Sequence, residues 1–417
     1  MILQRLVFIS LIILCGVGLL VSWMPQNTPW RIFELAIYGL LIAWLAAWMA
    51  GRAPDASRHW LLVPFIAIIG WGLLQLWSDW TVYRYVTAGE VLRWGSYASV
   101  FLLAFQTSAG RGDGRLFCRM LAVYGFIVAV VSVFQFFSGN GKIFWLFTPG
   151  EQASGLGPFL NRDHFASFAV LALPAAASEM LRHRSRWVFA VATATLYAAV
   201  IAGASRAGSA LITVEVILLF LLLGFSGRAV SATIALVVLV VFVVGWQSLY
   251  DRIRAPDPYF GRRELAQSSV RMIQANPWKG TGLGTWTEVY PAYARKDFGV
   301  FVNAAHNDWL QWAADGGIPF AGLFLILFAG SVVVVRRVPW ALGVPMVFLH
   351  SLVDFPMQGR FLPPVVFLIL GVAARTSQRL REDSMRLDSR GGVNLHGLGQ
   401  HPGGIEEHLA SEEIQAE

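Results

Sequence analysis

Charge is scarce in this chain of 417 residues. Only 14% of them are Asp, Glu, Lys or Arg, while 56% are hydrophobic and the mean hydropathy is +0.58. That balance excludes an ordinary soluble globular domain. Cysteine is nearly absent. Cys15 and Cys118 both fall in or beside apolar segments, so they provide neither a disulfide framework nor a metal-ligand cluster. No Gly-Lys-Ser or Gly-Lys-Thr occurs, which excludes a nucleotide P-loop. Acidic residues are outnumbered, 25 against 32 Lys and Arg, for a net charge of +7 and a pI near 9.7. Arginines at the cytoplasmic ends of membrane helices account for such an excess. No nucleic-acid partner is expected from it.

What is abundant is apolar runs near the ~20 residues that span a bilayer. About twelve spans follow from hydropathy. They lie near 6–24, 32–50, 60–77, 91–107, 117–138, 164–181, 187–203, 208–225, 229–248, 305–335, 338–354 and 361–375. The fold class is therefore all-α, a polytopic integral membrane protein with one large outer loop. Residues 6–24 follow Arg5 as a signal peptide core would, but no small-x-small cleavage site comes after them, so they read as an uncleaved first helix. The tenth span exceeds what a bilayer needs and is expected to stand in the interface, tilt or break.

Alternate connections hold Arg52 and Arg58; Arg111, Arg115 and Arg119; Arg182, Arg184 and Arg186; Arg228; and Arg336 with Arg337. The positive-inside rule then places both termini in the cytoplasm. The loop 249–304 belongs to the outer set, yet carries Arg252, Arg254, Arg262, Arg263, Arg271, Lys279, Arg295 and Lys296. Residues 1–375 read as the membrane domain, and 376–417 as a cytoplasmic disordered tail, Gly-rich and then acidic.

Several polar groups fall on the outer side. His306-Asn307 opens the tenth span, where a helix N-terminus favours an anion and Asn303 or Asn307 is placed to cap. A helical stretch should open at Gly261-Arg262-Arg263-Glu264-Leu265 and run to about Ala275, stopped by Asn276-Pro277. Gly280-Thr281-Gly282-Leu283-Gly284 is either a phosphate-cradling turn or simply a tight loop. Arg206 is either a ligand for an anion or a snorkelling interfacial arginine. In Asn161-Arg162-Asp163, the aspartate either pairs with Arg162 or caps a helix. His350 and Asp354, four apart, should share a helix face, with Asp354 orienting His350 or pairing with an arginine.

These segments resemble, in order, the motifs of the O-antigen ligase and polymerase family. They are Phe159-Leu160-Asn161-Arg162-Asp163-His164-Phe165, Ser205-Arg206, Asn276-Pro277-Trp278-Lys279-Gly280, Ala305-His306-Asn307-Asp308-Trp309-Leu310-Gln311 and His350-Ser351-Leu352-Val353-Asp354-Phe355-Pro356. The motif-bearing region spans about 155–360; the first 150 residues resemble the family only in hydropathy. The resemblance implies a membrane glycosyltransferase that moves glycan from undecaprenyl pyrophosphate to an acceptor hydroxyl at the periplasmic face. The acceptor is lipid A–core sugar for ligases, a lipid-linked repeat for polymerases, and protein for some members. The ligase pattern is followed by His306, Asn307 and Gly317 but not by Phe320, and no Leu follows Arg262 or Arg263 at the fourth place. These departures favour polymerase over ligase.

In that chemistry His306 is the candidate base, and Arg206 with Arg262 or Arg263 the pyrophosphate ligands. Asn161, Asn307, His350 and Asp354 are candidate supports. With no Asp-x-Asp in the chain, neither a metal nor another cofactor is expected. Two other classes stay open: a transporter or flippase of lipid-linked saccharide, which should carry polar residues at mid-membrane, and a non-catalytic assembly subunit, which would not need His306.

Overall fold

A Leu, Val, Ile, Ala and Phe run has one stable answer in lipid: a helix, which satisfies every backbone polar group internally. The computed structural model describes residues 2–395, except 25, 53–55, 151–154, 183–185, 225–226, 228–230, 232–233, 236, 240–241, 243–246 and 255–259. Among these residues there are helices, turns and two isolated bridges. The helices are α1 (Ile2–Leu20), α2 (Thr28–Met49), α3 (Leu62–Trp77), α4 (Arg84–Thr107), α5 (Asp113–Ser138), α6 (Arg162–Arg182), α7 (Arg186–Ala202), α8 (Arg206–Leu223), α9 (Gln247–Arg254), α10 (Phe260–Ala275), α11 (Trp286–Tyr293), α12 (Asp308–Val335), α13 (Gly343–His350) and α14 (Leu362–Leu395). Six of them, α1, α2, α5, α6, α8 and α12, are long and apolar enough to cross a membrane. The chain is thus an all-α polytopic membrane protein. The ninth span expected at 229–248 falls largely outside the described residues, as do Arg184 and Arg228.

Helix α6 is the centre of the bundle. It packs against α5, α7, α8 and α13, and most of it is buried. Small residues make this possible. Gly125 of α5 lies against Ala172, and Gly343 of α13 against the Val170 carbonyl, so a Cβ at either glycine would collide. The N-terminal end of α6 therefore starts from a rigid base.

Two expectations are corrected, for the eleventh span and for the tail, while the tenth span breaks, one of the alternatives expected for it. The eleventh span is not one helix over 338–354. A short 3-10 turn, Pro339–Ala341, leads into α13, which has only eight residues and ends at His350. At ~1.5 Å per residue that is about 12 Å, well short of a bilayer. Asp354 therefore lies in the turn beyond a helix, not on its face. The tenth span breaks: Gly317 in α12 has φ 80° and ψ 173°, a conformation open only to glycine. The chain also divides into compact units at Arg375, but helix α14 runs through that point to Leu395 rather than turning irregular at 376. Its polar continuation carries helix-supporting pairs such as Gln378 Nε2 donating to Glu382 Oε1 at 3.0 Å. Residues 396–417 lie outside the described ones.

Candidate active site

Helix α10 forms where the sequence places it. With α11 it builds a small second core of Leu265, Met272, Trp286, Tyr290, Ala305 and Ala314. Trp286 stacks on Tyr290 at 4.7 Å and donates to Ser269 Oγ at 3.0 Å. This core fixes the loop on the start of α12 and so aims Arg262 inward. Arg262 Nη2 lies 2.9 Å from Asp163 Oδ2 and 3.6 Å from Asp354 Oδ1, and Nη1 donates to the Val353 carbonyl at 2.7 Å. Asp163 therefore pairs across the chain with Arg262. Asn161 Oδ1 accepts from the Asp163 amide at 2.9 Å and fixes the entry to α6. Arg263, one step on along α10, is turned about 100° from Arg262.

His306 stands just before α12 with φ 51°, left-handed for a residue that has a Cβ. Its neighbours hold it there. The Ala305 amide donates to Gln311 Oε1 at 2.9 Å. Asn307 caps α12, accepting from the Leu310 amide at 3.0 Å, and donates to the Leu352 carbonyl at 2.6 Å. Of the two asparagines considered, Asn307 is the cap. Asp308, buried, accepts from the Met357 amide at 3.0 Å, which pins the turn after α13 to the start of α12.

The turn delivers Asp354. His306 Nδ1 is 3.6 Å from Asp354 Oδ1, and His164 Nε2 is 3.8 Å from Oδ2. The Asp354 side chain is fully buried, while that of His306 keeps 31% of its surface exposed. Burial pushes the Asp354 carboxyl up, but His306, His164, His350 and Arg262 outweigh it and hold the group below its ordinary value. With Asp354 ionised, the proton of neutral His306 belongs on Nδ1, and Nε2 is left with its lone pair. Phe355 separates the two imidazoles, edge-on to His164 at 4.8 Å and to His306 at 4.5 Å. His350 is placed differently from expectation. Its ring is buried, with Nδ1 at 2.7 Å from Ser167 Oγ, so it braces α13 on α6.

Arg206 opens α8, where Ser205 Oγ accepts from the Gly208 amide at 3.0 Å. Gly208 lies against Ala166, two residues past His164, so the start of α8 packs beside the start of α6. The glycine loop is not an anion cradle. The Thr281 amide donates to the Ala314 carbonyl at 3.1 Å, Gly282 to the Asp315 carbonyl at 2.9 Å, Leu283 to Gln75 Oε1 at 3.0 Å and Gly284 to Asp315 Oδ2 at 3.2 Å. These glycines serve close approach, since the loop wedges between α3, α4 and the break in α12. In return the Pro277 carbonyl accepts from the amide of Ile318 at 2.8 Å, just past that break.

The site thus joins Asp163, Arg262, His306, Asn307 and Asp354, with Asn161 and His350 as supports. Neither His164 nor Phe355 has a role assigned from sequence, and Asp163 only that of a partner for Arg162 or a helix cap; His164 carries the one available signal, a second histidine inside a motif. No group of His, Cys, Asp and Glu suited to a metal ion occurs among the described residues. No curated protein matches the chain. Residues 189–327 match the family model described as O-antigen ligase. That stretch runs from α7 through Arg206, Arg262 and His306 to the middle of α12. The motifs 161–165 and 350–356, which add Asp163, His164 and Asp354 to the same site, lie outside it. This match, over about a third of the chain, and the ordered motifs on either side of it agree on the O-antigen ligase and polymerase family, whose members process glycans at a membrane.

Proposed function

We propose that the chain is a glycosyltransferase acting on glycan held by undecaprenyl pyrophosphate at the periplasmic face of the inner membrane, with both termini cytoplasmic. The acceptor is a sugar hydroxyl, of a lipid-linked repeat in a polymerase or of lipid A–core in a ligase. The observation that carries this reading is His306 facing buried Asp354 beside Arg262 on the arginine-rich side of the bundle.

The residues suit the step. His306 Nε2 takes the proton of the acceptor hydroxyl. The oxygen attacks the anomeric carbon from the face opposite the phosphate, so the configuration inverts. The bond from that carbon to the pyrophosphate oxygen breaks, and the leaving group departs with the electron pair. Arg262 has five N–H donors and uses two of them on Val353 and Asp163. The remaining ones, with Arg206, face the developing negative charge, and a planar guanidinium matches it better than an ammonium. The chemistry as drawn needs neither metal nor cofactor.

A deletion strain tests the reading. Lipopolysaccharide with no O-antigen indicates a ligase, capping by a single repeat indicates a polymerase, and loss of secreted polysaccharide indicates an exopolysaccharide polymerase. Unchanged glycans in all three fractions would overturn the assignment.

A further inference from the structure

Four buried polar atoms of this site face one another without a hydrogen bond. They are His306 Nδ1, His164 Nε2 and both carboxylate oxygens of Asp354. The gaps are 3.6 and 3.8 Å, too long for a bond and short enough to close by a small movement. A buried polar group without a partner costs about 1–3 kcal/mol. An arrangement that leaves four of them facing one another is not explained by folding alone.

The arrangement is nearly symmetric. One oxygen of Asp354 looks toward His306 and the other toward His164, and Phe355 meets both rings edge-on. His306 is the more exposed imidazole, at 31% against 16% for His164. Only the outer ring is well placed for substrate. The inner ring acts through the carboxylate.

We propose that His164 is a positioning residue of this site: it holds Asp354 from the side opposite His306 and divides that carboxylate's charge between two imidazoles. The division matters because a base works best when it is neutral at the working pH. An undivided buried carboxylate beside His306 would favour the imidazolium and keep the base protonated. The charged and titratable groups around His164 are Asp163 on its own helix, Arg262 from α10, His306 before α12, and His350 and Asp354 from α13 and its turn. Arg262 is shared between Asp163 at 2.9 Å and Asp354 Oδ1 at 3.6 Å, on the same oxygen that His306 faces, so Oδ2 is the oxygen that faces His164.

This inference rests on His306 being the base of the proposed transfer. The probe is the polyprenyl-pyrophosphate-linked saccharide that a strain lacking this chain accumulates, incubated with that strain's membranes as acceptor source. The readout is release of polyprenyl pyrophosphate by the purified full-length protein from pH 5 to 9. Should wild type release none, the proposed function fails before His164 is tested. With wild type active, His164→Phe should move the acid limb of the kcat profile up by about half to one pH unit, since Asp354 then acts on His306 alone. Rate should return toward wild type at alkaline pH. His164→Gln keeps an N–H donor near the place of Nε2 and should keep the limb near its wild-type position. Thermal melting of each variant accompanies the kinetics. An unmoved limb in a folded His164→Phe protein overturns the proposal, as does an equal rate loss at every pH in both variants.

Discussion

His306 sits at φ 51°, where a side chain with a Cβ costs ~1–2 kcal/mol relative to a right-handed conformation. That strain separates function from stability. His306→Gly removes the ring and suits the backbone, so melting should hold or rise while turnover falls by the roughly 10²–10⁴ of a positioned base. A matching loss of both would make the ring a structural one. His306→Gln keeps a donor but cannot accept a proton at neutral pH, and near-wild-type turnover from it would leave the residue only a hydrogen-bonding role. Asp354 gives a pH prediction. Its folded value is depressed, so its stabilisation is present above the unfolded value near ~3.9 and is lost only as pH falls through the lower folded one. It stays charged throughout the range in which an imidazole titrates. Loss of activity at mildly acid pH should therefore not come from Asp354, and Asp354→Asn should lower turnover by removing the carboxylate that orients the His306 ring. Arg262→Lys should lose much of the activity despite its charge, since one ammonium cannot serve Asp163, the Val353 carbonyl and an anion in the same plane.

The broken helix α12 and the glycine loop are one device. The break frees the Ile318 amide, and the loop supplies the Pro277 carbonyl to it. A Cβ on Gly317 would meet the Trp278 carbonyl, and one on Gly280 the backbone of Asp315. Gly317→Ala should thus lower stability by about 1–3 kcal/mol from the backbone alone, more with the crowding. A melting curve in detergent would show it, and unchanged melting would mean that α12 straightens at no cost. Gly284→Ala, which brings a methyl onto Glu90, should likewise lower melting. A phosphate cradle would instead show itself as a raised KM for donor with stability intact. The eight residues of α13 do a comparable job at the other side. They stop early, so the chain turns back at 351–361 and carries Asp354 under His306.

For the whole molecule, the arginine-bearing connections predict that a reporter fused at Gly227 reports cytoplasm and one at Lys296 reports periplasm. The reverse result would put His306 and Arg262 in the wrong compartment for the proposed donor. The first 150 residues resemble the family only in hydropathy, yet the loop rests on them. Gln75 donates to the Lys279 and Asp315 carbonyls at 2.7 and 3.0 Å, and Thr87 to the Leu283 carbonyl at 3.1 Å. Such contacts pair side chains with backbone carbonyls, which leaves no residue pattern to read.

Hydropathy alone determined the class and nearly all the helix positions, because a bilayer admits few ways to satisfy an apolar backbone. The arginines of alternate loops led to an expected orientation on a different ground, the excess of Lys and Arg in cytoplasmic connections. The motifs brought His306, Arg262 and Asp354 forward, since titratable and guanidinium groups at helix ends stand out in an apolar chain. Only the tertiary structure decided their partners. Asp163 beside Arg162 in sequence pairs with Arg262, 99 residues away. His350, four residues before Asp354, instead meets Ser167. Spacing along one helix predicts neighbours on that helix. The site is made where four separate segments end, and which ends meet depends on how small residues let the bundle close around α6.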